Sequence, residues 1–222
     1  MKIVSSWVNR TPLIIHTRGQ SLFTFEFFAD DLVELASSCF FRNGMRYHTP
    51  YDALNDIRNL EIPVRAGKEN GLTVVPGLVF TDSPVHDDEY YAKKASDLVA
   101  LGVDGIFIKD PSGLLRPDRI KGLVGAIKTK IGDTRLQLHS HCLSGLAPYV
   151  ALLAVDAGVE VVHVATEPLA NGASHPSTQW MVRNLISRGY SVPVELDPVE
   201  LASEPVSYTH LRAHETEADL VC

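Results

Sequence analysis

A chain of 222 residues with 45% hydrophobic content holds enough apolar material for a full core, and its length suits one α/β domain or most of a larger one. A net charge of −7 and a pI near 5.7 leave no basic surface for tracking phosphates, which argues against a nucleic-acid partner. Three widely spaced cysteines, Cys39, Cys142 and Cys222, make no disulfide framework, and there is neither a secretory h-region nor an apolar run of membrane-spanning length, so the expectation is a cytoplasmic protein.

The first apolar run, 13–15, follows Pro12 and reads as a buried parallel strand ending at His16, Thr17 and Arg18. Asp30 opens a helical pattern that Gly44 closes, and 45–48 is a weaker strand. A helix is predicted over 55–68, where Pro63 should kink it or end it early. The alternation then continues: strand 72–79, helix 87–101, strand 105–109, helix 117–131, strand 135–139, helix 146–157, strand 159–164 and helix 177–188. Six β/α units imply a parallel sheet with right-handed crossovers, either doubly wound or closed into a barrel. Polar residues gather just after several strand ends, and no Gly-x-Gly-x-x-Gly follows the first strand. A barrel therefore fits better, with about six of the eight units of a TIM (β/α)8 barrel present.

The end of the chain departs from this pattern. Residues 207–216 look like a translated sequencing-library adapter, so the fold is expected to occupy 1–205 and 206–222 is read as a non-native tail.

Two short stretches carry chemistry, Ile108-Lys109-Asp110 and Leu138-His139-Ser140-His141, each where an apolar run meets a Ser/Gly-containing loop. Side chains alternate along a strand, so His139 and His141 project to one side and suit a shared cation. Lys109 ends the preceding strand. A protonated lysine repels a metal, so if the three share a site the lysine must be deprotonated or converted into an anion. The competing reading is a pair of strand-end histidines bonded to loop carbonyls. His163, on the next strand, reads as a packed or outer residue and not a ligand. Arg18 points to the same mouth and suits a carboxylate clamp, or else pairs with a nearby aspartate. Asp52 is either a substrate-site carboxylate or a loop and capping residue ahead of Asn55. Gly113 and Gly145 read as turn glycines after the two central motifs.

Thr17-Arg18-Gly19-Gln20, the run from Asp52 to Leu60, Ser83-Pro84-Val85-His86, Ile108-Lys109-Asp110 and His139-Ser140-His141 follow one another in an order that resembles the biotin-dependent carboxyltransferases. That family includes pyruvate carboxylase and the α subunit of oxaloacetate decarboxylase. The two histidines lie 30 and 32 residues after the lysine, as in the family. The resemblance implies that Lys109 is carbamylated and binds a Zn or Mn ion together with His139 and His141. It also implies that Arg18 holds the carboxylate of pyruvate or oxaloacetate, and that biotin arrives on a carrier domain or subunit of an oligomeric parent protein. It implies, further, that the family's first two β/α units, one of which bears an aspartate ligand, have no counterpart here, so the chain reads as a truncated barrel with an open, poorly soluble edge. Where the family has Met-Ala after Lys-Asp, Asp-Thr after the second histidine and Asp on the last strand, this chain has Pro111-Ser112, Cys142-Leu143 and His163. The alternative readings are a related metal-dependent acyl-CoA lyase or synthase, and a catalytically inactive fragment.

Overall fold

The computed structural model describes residues 1–8 and 10–207. Strands β1 (Leu13–Thr17), β2 (Met45–Asp52), β3 (Thr73–Val74), β4 (Gly77–Val79), β5 (Gly105–Asp110), β6 (Arg135–Ser140) and β7 (Val161–Val162) form one parallel sheet. Its order is β1-β2-β4-β5-β6-β7, with β3 also on β2. Strand order follows chain order throughout, so there is no switch point of the doubly wound kind. The sheet is an arc of a β/α barrel, and among the described residues β1 and β7 are its free edges.

Helices α2 (Asp30–Arg42), α3 (Arg58–Glu69), α4 (Asp88–Ala100), α5 (Pro117–Ile131), α6 (Ala147–Asp156) and α7 (Thr178–Ser187) alternate with the strands as the sequence pattern predicts. Two further helices, α1 (Lys2–Trp7) and α8 (Leu196–Ser207), had no clear periodic signal. Residues 208–222, most of the proposed tail, lie outside the described residues.

The predicted strand 72–79 is two short strands because Pro76 has no N–H to give to a ladder. Its carbonyl still accepts from Phe107 N at 3.0 Å, which keeps β5 attached through the break. Pro63 neither ends nor excludes α3. It frees the carbonyl of Asn59, and Gly19 packs against that atom so closely that a Cβ would lie 2.7 Å from it. With φ at +51°, position 19 requires glycine on both counts.

Alternation along the strands separates two faces. Ile106, Ile108, Leu136 and Leu138 point outward and meet Leu98, Ile120, Leu123, Ile127 and Val150 in the core, all at most 1% exposed. Each such side chain contributes about 1.5–3 kcal/mol on burial. The inner, concave face is of another character: its registers bring together His16 and Thr49, Val79 and Lys109, and Lys109 and His139. Phe107 is its floor, and Gly77 beside it leaves room for the ring, since a Cβ there would come within 2.4 Å of it.

Candidate metal centre

Lys109 and His139 are direct cross-strand neighbours at the ends of β5 and β6, and His141 continues the same face two residues on. The two loops that follow are locked together from the opposite face. Asp110, fully buried, accepts from Leu114 N at 2.9 Å, Leu115 N at 3.1 Å and the Ser140 hydroxyl at 2.9 Å. Its carbonyl accepts from His141 N at 3.0 Å. Gly113 turns with φ at +64°, its carbonyl takes the Ser144 hydroxyl at 2.6 Å, and a Cβ there would lie 2.7 Å from the His141 carbonyl oxygen.

Five of the nine histidines gather on the concave face: His16, His139, His141, His163 and His175. Lys109 Nζ lies 3.3 Å from His139 Nε2, and His139 Nε2 lies 3.2 Å from His141 Nε2. One ring nitrogen each from His139, His141 and His175 falls within 4.8 Å of the others. The hydrogen bonds assign the tautomers. His141 donates from Nδ1 to the Ala173 carbonyl at 2.7 Å, and His175 donates from Nδ1 to the Ser140 carbonyl at 3.2 Å. His163 donates from Nε2 to Gln137 Oε1 at 3.0 Å, so its Nδ1, 3.1 Å from His139 Nδ1, accepts the proton of His139. His139, His141 and His175 therefore all keep the lone pair on Nε2, with the other nitrogen held by an acceptor, which is the arrangement found behind metal-binding imidazoles.

Burial, followed by the nearby Lys109, drives His139 far below the ordinary histidine pKa. His16 and His163 are lowered to about 4, in both mainly by desolvation, and burial lowers His175 as well. These rings are neutral at pH 7. Lys109, 7% exposed, is lowered first by burial and then by the charge of Arg18, with Asp110 partly offsetting. Two lone pairs facing each other at 3.2 Å without a proton to share suit a divalent cation, and the donor set fits one.

Beside this cluster, His16, Thr17, Arg18, Leu22, Phe23 and Tyr51 line a cavity of about 160 Å³. Tyr51 connects the two regions: its ring stacks on His16 at 4.8 Å and lies 4.8 Å from Lys109 Nζ. Arg18 is exposed, bonded to the Phe23 carbonyl at 3.0 Å and placed 4.5 Å over the Phe25 ring, without an aspartate partner among the described residues. Asp52 stands differently. Its carboxylate accepts from Leu54 N at 2.9 Å, Asp56 N at 3.0 Å and the Asn59 amide at 2.9 Å, so it organises the loop after β2. Asn55 is buried at a φ of +56° and exchanges two hydrogen bonds with the Val79 backbone, at 2.9 and 2.7 Å, doing for β4 what a strand residue would do.

The sequence thus brings out Lys109, His139, His141 and Arg18, which the fold gathers on one face. It misses Tyr51 and His175. Only the Ala173-Ser174-His175-Pro176-Ser177 turn chemistry marks the latter, because its neighbours come from a distant strand.

No protein-family model matches the chain. It is 36% identical over 196 residues to a pyruvate carboxylase subunit of Methanocaldococcus jannaschii, a match that takes in 88% of this chain and 34% of that protein. To the methylmalonyl-CoA carboxyltransferase 5S subunit of Propionibacterium freudenreichii it is 33% identical over 181 residues, 81% of this chain and 36% of the other. Among solved structures, the carboxyl transferase domain of Rhizobium etli pyruvate carboxylase with pyruvate superposes with a TM-score of 0.82 at 25% identity, over 85% of this chain and 33% of that one. The fold is thus that of a carboxyltransferase β/α barrel, seen in part. The chain belongs to the biotin-dependent carboxyltransferase family, of the pyruvate carboxylase type, and spans about a third of the length of the curated relatives it matches.

Proposed function

We propose that the concave face is the metal-dependent site at which a carboxyl group passes between carboxybiotin and pyruvate or oxaloacetate, with Lys109, His139 and His141 as metal ligands and Arg18 as the carboxylate clamp. The observation that carries this reading is the meeting of Lys109 Nζ, His139 and His141 at 3.3 and 3.2 Å at the C-terminal ends of β5 and β6, in a chain of this family.

Lys109, held towards its neutral form by burial, has a nucleophilic amine. Attack on CO2 forms an N–C bond and releases one N–H proton to solvent, leaving a carbamate anion where a cation would repel the metal. A bound Zn or Mn ion would supply Lewis acidity at the keto oxygen of the substrate. Arg18 fixes the substrate carboxylate, and the ring of Tyr51 and the floor of Phe107 shield the reacting carbons from water. In the carboxylation direction, the N–C bond of carboxybiotin breaks to release CO2, pyruvate loses a methyl proton that ends on the freed ureido nitrogen of biotin, and its C3 bonds to the CO2; oxaloacetate decarboxylation is the reverse. The carboxylate of Asp52 holds the loop that carries Asn55 and the start of α3, so its part in substrate binding is indirect. A biotinyl carrier domain or subunit, an oligomeric parent protein and a cytoplasmic setting follow from the same reading. No helix among the described residues is long and apolar enough to cross a membrane.

Metal content of the purified chain, with and without bicarbonate, tests the reading against the Lys109→Ala variant. The expected result is one ion per chain that depends on both lysine and bicarbonate. Exchange of the pyruvate methyl protons in deuterated water, followed by NMR, should depend on the same two factors. Metal retained in full by Lys109→Ala, or exchange no faster than in buffer, overturns it.

A further inference from the structure

We infer that His175 is a third histidine ligand of the metal proposed above, so that the ion is gripped by a face of three imidazoles, His139, His141 and His175. The inference rests on the carboxyl-transfer reading for the presence of a metal, and goes beyond it in the ligand set.

The loop between β7 and α7 is tied to the exit of β6 by three hydrogen bonds in a row. Cys142 N donates to the Ser174 carbonyl at 2.8 Å, His141 Nδ1 to the Ala173 carbonyl at 2.7 Å, and His175 Nδ1 to the Ser140 carbonyl at 3.2 Å. The stretch that presents His139 and His141 therefore also positions His175. The far end of the loop is closed by Asn171 N on the His175 carbonyl at 2.7 Å and Ala165 N on the Pro176 carbonyl at 3.0 Å. Pro176 further confines His175 to an extended backbone.

The His175 ring sits 4.2 Å from that of His139 and 4.8 Å from that of His141, edge to face with both. Nitrogens bound to one zinc at about 2.0–2.1 Å lie roughly 3.3 Å apart in a tetrahedron. The His139–His141 pair is already at 3.2 Å, and small ring rotations bring a third nitrogen from within 4.8 Å to the same spacing. Each ring has its Nδ1–H engaged and its Nε2 lone pair available. A face of three imidazoles favours zinc or cobalt over manganese, which prefers oxygen donors. The Lys109 carbamate would be the fourth ligand, and expansion to five-coordinate, which zinc permits, would admit the keto oxygen of the substrate.

X-ray absorption on the zinc-loaded chain counts imidazole ligands directly. Three are expected, and two overturn the inference. Zinc competition with a chelator gives the second measurement: His175→Ala should weaken binding by more than the roughly 100-fold upper limit for losing an outer partner. A loss below the roughly 10-fold lower limit refutes the inference, with circular dichroism reporting on folding. If His175→Ala does not fold, the imidazole count in the unaltered chain still decides. Zinc lost on Lys109→Ala but kept on His175→Ala removes the inference and leaves the proposed function standing. Zinc lost on His175→Ala but kept on Lys109→Ala does the opposite. A chain that takes up manganese but no zinc overturns the inference alone, and one that takes up neither, with or without bicarbonate, overturns both.

Discussion

Asp110 sits behind the site and not in it, and its removal should cost a large share of the chain's stability. Its buried carboxylate takes two backbone N–H groups and a serine hydroxyl at 2.9–3.1 Å. Asp110→Ala leaves all three donors without their acceptor, at about 1–3 kcal/mol for each one that stays buried. Leu114 is 44% exposed, so water can satisfy its N–H and two donors bear the full cost. The expected loss is roughly 2–6 kcal/mol, a large share of the 5–15 kcal/mol typical of a domain. Ser140→Ala removes one partner and leaves the carboxylate its two backbone donors, so about 1 kcal/mol should go. Asp110→Asn should fall between, because one acceptor oxygen is exchanged for an NH2 that faces a donor. Urea unfolding followed by circular dichroism measures all three at constant slope. A loss under about 1 kcal/mol in Asp110→Ala, or a Ser140→Ala loss equal to it, would refute the claim that this carboxylate holds the two loops together.

His163→Leu removes the acceptor that keeps the His139 proton on Nδ1, and zinc affinity should fall roughly 10–100-fold with little change in fold, as measured by chelator competition. Gly113→Ala, at a φ of +64° and with a Cβ 2.7 Å from the His141 carbonyl oxygen, should destabilise by more than about 1 kcal/mol in urea and displace His141, whereas Gly145→Ala, with open space around it, should cost only the backbone strain. Arg18→Gln should raise the dissociation constant of pyruvate for the metal-loaded chain about 10- to 100-fold by calorimetry, the worth of a charged hydrogen-bond pair, and unchanged binding would remove Arg18 from the site. His48, fully buried, has its pKa lowered to about 4 by desolvation, so the unfolded chain takes up the proton first: its stabilising contribution is whole above pH 6.5 and is lost as pH falls towards 4. That amounts to at most about 3 kcal/mol, and His48→Gln should make the stability profile less steep in that window by this one group's share, His16 and His163 supplying slope that remains.

Most of the barrel arc was legible because each helix between two strands is a crossover, and right-handed crossovers of this length leave consecutive strands side by side. Lys109 and His139 end neighbouring strands for that reason alone, and their pairing needed no further information. The two helices outside the repeat were not legible, since α1 has six residues and buries none of them. Asn55 shows a different limit. It stands at the start of the helix predicted over 55–68, but the backbone adopted a positive φ and the side chain closed a gap between β2 and β4, a choice that depends on a strand 24 residues away.

Fixed periodicities of the backbone dictated the alternation of strands and helices and the same-face placement of His139 and His141, and both can be read from the residues in order. The remainder of the site came from packing between distant segments. It carried His175 back against Ser140, set His163 and Gln137 behind His139, and buried Lys109 beside Arg18. Which nitrogen holds a proton, and whether a lysine is charged, depend on acceptors and solvent exposure that exist only once those segments have met.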